Sequence, residues 1–353
     1  MTTKFDPETR VSEYLLEECI GKGAFGEVWR ARHHVWKDDR VAIKLPTEPE
    51  YVRYLQREGV VVHGLRHPNI VRVLGLDPYS DLPYLVMELV KGPSLRDVLN
   101  ENPTGIDIDT AIVILRGILH GMVAAHEAGV MHRDLKPGNV LLHLDGQPLS
   151  AISVANVKVS DFGLGVANAD TLRSIAQSAS FAREEELVGT LAYMAPEVRD
   201  GNTEPAAKAD LYAIGVILFE LITGERPAGA ELPSSVRSNA PKELDEVFQR
   251  LYARQDRRYE TAQAALEDLD ARLSPPVTSP PLPPLPGDGA VRVTTHATCL
   301  GCGQVLEPGD QYCTGCGKQV VERVRRCASC QGYPGPHDSF CIFCGAALTL
   351  AAE

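Results

Sequence analysis

The stretch that decides the fold is GVMHRDLKPGNVLL, residues 129–142. It places five polar side chains between two apolar runs: His132, Arg133, Asp134, Lys136 and Asn139. A cluster of charges is most often a solvated surface loop. Here a helical pattern precedes the cluster and a strand-like run, Val140–Leu142, follows it. The polar groups are therefore predicted to lie on a loop that the core anchors at both ends, as a precise functional site requires.

A glycine-rich turn lies far upstream, at residues 21–28, GKGAFGEV. Glycines suit a backbone that must turn tightly and bring its N–H groups close to phosphate oxygens. The pattern is not a Walker A loop, because no Gly-Lys-Ser/Thr follows. It is not a Rossmann turn either, because β-type residues flank it on both sides and no helix begins there. By itself the motif predicts a hairpin turn, and many such turns bind no phosphate.

Two charged residues after this turn are suited to form a phosphate-binding pair. Lys44 closes the β-type run VAI at residues 41–43. Glu58 lies in residues 50–65, whose pattern predicts a helix. An ammonium group that contacts phosphates gains from a carboxylate that holds it in place. We therefore predict a Lys44–Glu58 ion pair.

Five motifs follow one another along the chain: the glycine turn, VAIK at 41–44, HRDLKPGN at 132–139, DFG at 161–163 and APE at 195–197. With them the chain resembles the eukaryotic-type (Hanks-type) serine/threonine protein kinase family, and its compact bacterial members, over about residues 14–273. The resemblance implies an α+β fold with two lobes, a β-rich N-lobe at about 12–90 and a helical C-lobe at about 91–273. We place this protein kinase domain at residues 1–273.

The resemblance also implies ATP and Mg²⁺, with two ions possible, as cofactors, and a role for each catalytic residue. Asp134 accepts or orients the proton of the substrate hydroxyl, and Asn139 and Asp161 hold magnesium. Lys44, paired with Glu58, contacts the phosphates. Two carboxylates alone would also suit a glycosidase, but the lysine, the asparagine and the glycine turn fit triphosphate chemistry better.

A nucleotide-binding set follows from the same resemblance. The glycine turn covers the phosphates, while Val28, Ala42 and Leu141 sandwich the adenine. Residues 87–90 form the hinge that offers backbone groups to the adenine edge, with Met87 as gatekeeper. The complete set is Gly21, Lys22, Gly23, Ala24, Phe25, Gly26, Val28, Ala42, Lys44, Met87, Glu88, Val90 and Leu141.

Acceptor type and regulation are further expectations. Lys136 and Thr190 resemble the serine/threonine branch of the family. Arg133 beside the catalytic aspartate suggests control by a phosphate on the activation segment, residues 164–194, with Ser178 and Ser180 as the preferred sites. The resemblance implies a buried Glu197–Arg258 ion pair that supports the helical lobe.

One departure from the family pattern lies between Asn139 and Asp161. Extra residues at 145–148, DGQP, predict a lengthened hairpin. No catalytic position is affected.

Residues 274–290 and 291–353 differ in composition from the kinase-like part. The first segment is rich in proline and predicts an extended linker, although a docking motif for a proline-binding groove has the same composition. The second carries eight cysteines in two repeats of two C-x-x-C turns separated by ten residues: Cys299, Cys302, Cys313, Cys316, Cys327, Cys330, Cys341 and Cys344.

This cysteine spacing resembles tandem zinc ribbons, each with four cysteine ligands and one structural Zn²⁺ ion. We assign the ligands sequentially within each repeat, while a cross-braced pairing fits the same spacing. Gly303, Gly317 and Gly345 follow three of the turns, where positive φ is expected. A disulfide framework is the alternative, and a cytosolic kinase on the same chain argues against it.

Charge and composition bound the partners and the location. The net charge of −12 and the balanced charges of the tail disfavour nucleic acid, so we predict protein substrates and a partner protein for the tail. Residues 1–10 lack an apolar signal, and no later stretch predicts a membrane span, so a cytoplasmic protein is expected. Two alternatives stay open: a nucleotide-binding pseudokinase scaffold, and a kinase localised by a nucleic-acid-reading tail.

Overall fold

The computed structural model describes residues 5–23, 26–47, 52, 55–56, 59, 63–162, 191–200 and 206–273, and in the C-terminal part 298–299, 302–305, 313, 315–316, 327, 329–330, 338–341 and 344–348. Contacts divide the chain into two compact units, Met1–Val277 and Thr278–Glu353. The first unit has a sheet-rich N-lobe and a helical C-lobe, which confirms the predicted fold class.

The N-lobe is a six-stranded sheet in the order β1-β2-β3-β4-β6-β5. All of its neighbouring strands are antiparallel. The strands are β1 (Arg10–Val11), β2 (Tyr14–Gly23), β3 (Gly26–His33), β4 (Arg40–Pro46), β5 (Val73–Asp77) and β6 (Tyr84–Glu88). The β-type runs of the sequence lie in β2, β3 and β4, as predicted.

The two faces of this sheet bury different clusters because successive side chains on a strand point to opposite sides. On β3, Trp29 packs into a cluster that includes Phe5 and Leu16, so residues before β1 help to cover this face. The neighbouring Val28 packs against the other cluster, which contains Ala42 and Met87. Leu141 of the C-lobe also packs against this second cluster, so this face of the sheet looks toward the C-lobe.

The C-lobe contains seven described helices and a small hairpin. The helices are α1 (Leu95–Glu101), α2 (Ile108–Glu127), α3 (Pro196–Arg199), α4 (Ala207–Thr223), α5 (Pro233–Val236), α6 (Lys242–Leu251) and α7 (Ala262–Leu273). Among the helices that the structure describes, only α2 is long and apolar enough to cross a membrane. Its apolar side chains are buried in the C-lobe core, which explains that composition.

Helix α4 lies inside this core. Every residue from Asp210 to Thr223 is buried, so the helix has no polar face. A helix that is apolar all round belongs in the interior, and a buried carboxylate there must be hydrogen-bonded. Asp210 and Glu220 are the two carboxylates on this helix that need partners. Two partners of Asp210 lie in the polar loop of residues 132–139.

The hairpin of β7 (Val140–Leu142) and β8 (Val157–Val159) carries the loop that the sequence predicts to be lengthened. Asp145 and Gly146 have φ values of 45° and 84°, which suit a tight turn. Two 3₁₀ turns follow, Leu149–Ala151 and Val154–Asn156. The hairpin prediction is confirmed.

The second unit contains two matching cysteine knuckles. In the first, Cys299 N–H donates to Gln304 O and Gly303 N–H donates to Cys299 O. In the second, Cys341 N–H donates to Ala346 O and Gly345 N–H donates to Cys341 O. The glycines have φ values of 76° and 73°, as predicted. Gly317 lies outside the described residues.

Candidate active site

The polar loop of residues 132–139 is held from below by one buried carboxylate. Asp210, only 2% exposed, accepts the backbone N–H of His132 at 2.9 Å and that of Arg133 at 2.8 Å. Arg133 has a φ of 69°, a left-handed conformation that is costly for a residue with a side chain. The two hydrogen bonds stabilise this strained backbone and therefore fix where the following aspartate lies.

His132 joins the loop to the strand that leads to Asp161. Its Nε2 donates to the carbonyl of Ser160 at 2.9 Å, and its Nδ1 accepts the N–H of Asp134 at 3.3 Å. These two bonds require the neutral imidazole with its proton on Nε2. The ring is fully buried and packs against Phe162, with 4.7 Å between ring centres. The histidine is therefore a structural connector between the two loops.

Asp134 lies among donors that orient its carboxylate. Lys136 Nζ lies 3.0 Å from Oδ2, and Asn139 Nδ2 donates to the Asp134 carbonyl at 2.8 Å. The Asn139 backbone carbonyl accepts the N–H of Ser160 at 2.9 Å. The structure thus brings together Asp134, Lys136 and Asn139, as the sequence predicts. It also connects them to Ser160, the residue directly before Asp161.

The two lobes meet at a charge pair. Lys44 Nζ on β4 lies 2.5 Å from Oδ1 of Asp161, which is 117 residues away in sequence. The lysine side chain is 8% exposed and the aspartate side chain 27%. Asp161 has a φ of 60°, the second strained position of the site. The predicted partner Glu58 lies outside the described residues, so the Lys44–Glu58 pair stays a prediction.

The glycine turn joins β2 to β3. Gly23 pairs with Gly26, and the exposed Lys22 places its Nζ 3.0 Å from the carboxylate of the largely covered Glu27. Ala24 and Phe25 lie outside the described residues.

Gly26 is required for a reason that the sequence did not reveal. A Cβ there would lie 2.3 Å from the Leu45 carbonyl oxygen, whereas a Cβ on Gly21 would meet only Val28 at 3.7 Å. Strand packing against β4, and not only phosphate approach, demands glycine at position 26.

The residues predicted to enclose an adenine belong to one apolar cluster. Ala42 and Met87 are buried in it, and Val28, Val90 and Leu141 pack against it. Ala42 pairs with Met87 across β4 and β6, which places both beside the hinge. The cluster combines side chains of both lobes.

Residues 14–274 match the protein kinase domain family, well over half of the chain. The chain belongs to the protein kinase family. The kinase domain is 38% identical over 233 residues to the serine/threonine-protein kinase PkaA of Streptomyces coelicolor, covering 62% of this chain and 40% of PkaA. It is 33% identical over 282 residues to the serine/threonine-protein kinase PknL of Mycobacterium tuberculosis, covering 74% of this chain and 65% of PknL.

The matched region therefore spans less than two thirds of the length of these relatives. Among solved structures, the kinase domain resembles the crystal structure of a mutant form of the Mycobacterium tuberculosis PknI kinase domain. The TM-score is 0.58 at 21% identity, over 76% of this chain and 99% of that chain. This likeness supports the kinase fold, in agreement with the lobes described above.

Sequence reasoning missed several residues that position the kinase site. Asp210 is one. The sequence feature that could have revealed it is its place as a lone aspartate directly before the apolar run LYAIGVILFELITG. Asn69 is another: its Nδ2 donates to Val157 O at 2.8 Å and its carbonyl accepts the N–H of Val159 at 2.9 Å. No local pattern around Asn69 indicates this role, because its partners lie almost ninety residues away.

The predicted Glu197–Arg258 ion pair of the kinase domain is confirmed. Arg258 Nη1 lies 2.5 Å and Nη2 2.9 Å from the two carboxylate oxygens, a bidentate contact. Burial alone would raise the pKa of Glu197, but the hydrogen bonds and charge of Arg258 outweigh it and lower the pKa below its ordinary value of 4.5. The pair is structural, since it lies between α3 and the segment before α7.

Outside the kinase domain, the eight clustered cysteines form two groups. Cys299, Cys302, Cys313 and Cys316 have their Sγ atoms within 4.8 Å of one another, and so do Cys327, Cys330, Cys341 and Cys344. This grouping follows the sequential assignment and not the cross-braced one. The first cysteine of each C-x-x-C turn is buried and the second is exposed. Four convergent thiols are a donor set suited to a tetrahedral zinc ion.

Proposed function

We propose that this chain is a serine/threonine protein kinase that transfers the γ-phosphate of ATP to Ser/Thr hydroxyls of protein substrates. The main support is the contact between Lys44 and Asp161 across the two lobes. Phosphoryl transfer needs positioning and charge neutralisation more than covalent chemistry. In this proposal Asp134 orients the acceptor hydroxyl and Lys44 contacts the phosphates. Lys136, 3.0 Å from Asp134, supports the serine/threonine assignment.

The residues near Asp134 suit Mg²⁺, which prefers oxygen ligands. Asn139 uses its amide nitrogen to donate to Asp134, so its amide oxygen is the atom that remains to ligate a cation. Asp161 supplies a carboxylate whose Oδ1 lies 2.5 Å from Lys44 Nζ. In the proposal Asn139 and Asp161 hold magnesium, which supplies charge neutralisation of the phosphates.

The test is phosphate incorporation into protein with ATP and Mg²⁺. Asp134→Asn is expected to lower the rate by about a hundredfold or more, because it removes the group that accepts or orients the proton. Asp38→Asn, an exposed carboxylate in the β3–β4 turn, is the matched control and should leave the rate unchanged. ATP binding by the wild-type chain without transfer would favour the alternative of a nucleotide-binding scaffold.

We further propose that a phosphate on the activation segment regulates the kinase. Within the described residues, Arg133 Nε is buried and has no hydrogen-bond partner. A guanidinium with such an unused donor is suited to bind a phosphate on the activation segment. The preferred acceptors Ser178 and Ser180 lie outside the described residues. Phosphopeptide mapping after incubation with ATP tests the sites, and Arg133→Gln is expected to abolish any activation by prior autophosphorylation.

For the C-terminal unit we propose two structural Zn²⁺ ions and a recruitment role toward a partner protein. The two groups of four thiols support the metal assignment. The balanced charge of the tail favours a protein partner over nucleic acid. Thiols grouped for a metal ion, rather than joined in a disulfide framework, favour a reducing cytoplasmic location.

Metal analysis of the full chain tests the zinc assignment. We expect about two zinc ions per chain, and about one in a Cys302→Ser, Cys313→Ser variant that disables the first cluster. Salt-dependent binding of the full chain to DNA or RNA would instead support the nucleic-acid alternative.

A further inference from the structure

The hinge of the proposed nucleotide site, residues 87–90, is held by the β7–β8 hairpin at Glu88 and at Lys91, the residue directly after it. Near the start of the hinge, Glu88 Oε1 accepts Lys158 Nζ of β8 at 2.9 Å. The same oxygen accepts the backbone N–H of Arg72 at 2.9 Å, and Lys158 also donates to Pro68 O at 3.1 Å. The Lys158 and Glu88 side chains are 15% and 27% exposed, so this ion pair is shielded from water more than a surface pair is.

Just after the hinge, Lys91 contacts three consecutive residues of the lengthened loop. Its N–H donates to His143 Nδ1 at 3.2 Å. Its carbonyl accepts the N–H of Leu144 at 3.0 Å and that of Asp145 at 2.9 Å. Its ammonium lies 3.1 Å from Asp145, but both of these side chains are more than half exposed, so the ion pair contributes little. The backbone contacts therefore carry the attachment.

The steric fit at this end is equally close. A Cβ on Gly92 would lie 2.0 Å from the Leu142 carbonyl oxygen, and the Leu142 N–H donates to Pro93 O at 3.0 Å. Only glycine lets the chain leaving the hinge run so near to β7. Between the two attachment points, Leu141 of the same hairpin packs against the adenine cluster and pairs with Lys158 across the hairpin.

We propose that Lys158 and His143 are positioning residues that hold the hinge in the conformation that binds a purine nucleotide. This inference rests on the proposed kinase function. The two side chains act through Glu88 and Lys91 and do not touch the reacting atoms. If the hinge samples other conformations, the apparent Kd for ATP rises in inverse proportion to the fraction of time that the hinge spends in the competent one. The polar loop of residues 132–139, which we call the catalytic loop, is held separately by Asp210, so the rate of the chemical step should not change.

The experiment compares full-length variants in hydrogen exchange of residues 88–92 without nucleotide, and in ATP affinity and steady-state kinetics. Lys158→Met keeps most of the stem and removes the charge, and His143→Leu removes the acceptor of the Lys91 N–H. Each is expected to speed exchange at the hinge and to raise the Kd and the KM for ATP about three- to tenfold, with kcat within about twofold of wild type.

Conservative variants separate positioning from general stability. His143→Asn places an acceptor near the former Nδ1 and is expected to restore both exchange and affinity, and Lys158→Arg should do the same at the other end. Asp145→Asn removes only the exposed ion pair and should change nothing; asparagine tolerates its positive φ. Thermal unfolding of each variant checks that it folds.

The outcomes distinguish the inference from the proposed function. If folded Lys158→Met and His143→Leu showed wild-type exchange rates at residues 88–92, the inference that these side chains hold the hinge would be overturned, whatever the protein binds. Equal losses of kcat and kcat/KM without a change in KM would overturn it too. If wild-type protein binds no ATP, the proposed function fails, while the exchange comparison still decides whether the hairpin holds the hinge.

Discussion

The catalytic loop and the cysteine knuckles are both loops that present functional side chains, yet different forces hold them. The catalytic loop takes its hydrogen bonds from distant parts of the chain: Asp210 lies 78 residues from His132. The knuckles take theirs from neighbours, as when Cys299 bonds to Gln304 and Gly303. The first arrangement needs a large core to bring the partners together. The second needs only a few residues and four thiols.

This difference teaches where each region is vulnerable. A short segment that cannot bury much apolar surface relies on metal binding for its stability. A loop anchored by buried, long-range contacts instead depends on single side chains deep in the core. Perturbations chosen for one region should therefore leave the other unchanged.

Removing metal is expected to have the largest effect, and only on the C-terminal unit. Structural zinc contributes roughly 10–16 kcal/mol per site in small domains, so a strong chelator should expose the eight clustered thiols to a thiol reagent. The kinase-domain unfolding transition should not shift, because the two units are compact by themselves. Thiol titration in native buffer measures the effect. Equal thiol reactivity with and without chelator would show that the cysteines hold no metal.

Replacing the carboxylate under the catalytic loop should be next in size. Asp210→Asn replaces one of the two carboxylate oxygens with an NH₂, so one of the two backbone N–H groups loses its acceptor and the strained backbone at Arg133 loses support. We expect the phosphorylation rate to fall about a hundredfold, since small displacements of catalytic groups have effects of this order. Zinc content should stay the same. Asp109→Asn, exposed in the first turn of α2, is the control, and a similar loss there would contradict the explanation.

Two glycines of the phosphate turn should differ in stability. Gly26→Ala forces a Cβ against the Leu45 carbonyl and is expected to lower the free energy of unfolding of the kinase domain by about 2 kcal/mol. Gly21→Ala makes an ordinary contact with Val28 and should cost less than about 1 kcal/mol. Denaturant unfolding measures both. If the two variants were equally stable, phosphate approach alone would explain both glycines.

The smallest effect concerns pH. Because Arg258 lowers the pKa of Glu197, the pair stabilises the folded kinase domain above the ordinary pKa of about 4.5. That stability is lost as the pH falls through the lower, folded-state pKa. Wild-type protein should lose unfolding free energy as the pH falls from about 5 to about 3. We expect Glu197→Gln to reduce that loss by about 1 kcal/mol or less, because the Glu197 side chain is partly exposed. Denaturant titrations over this pH range measure the unfolding free energy. If its dependence on pH were the same in Glu197→Gln as in wild type, the stabilising role of the Glu197–Arg258 pair would be refuted.

Much of the fold was predictable because kinase motifs are local and ordered. The strands around VAIK, the helix before the polar loop, the lengthened hairpin and the Glu197–Arg258 pair all agree with the sequence-based expectations. Asp134, Lys136 and Asn139 were predictable as a group since they lie within six residues of one another. The roles of Asp210, Asn69 and Lys158 were not, because each depends on a partner far away in the chain.

The amino-acid sequence by itself determined which chemistry the chain can hold: a glycine turn, a lysine, carboxylates and an asparagine in the kinase order, and thiols spaced for tetrahedral metal sites. These features are local, and local spacing is what a sequence displays directly. Only the tertiary structure decided that Lys44 reaches Asp161, that Asp210 holds the catalytic loop, and that the β7–β8 hairpin grips the hinge. Such contacts arise from packing a whole core, which brings residues separated by 52 to 117 positions within hydrogen-bond distance.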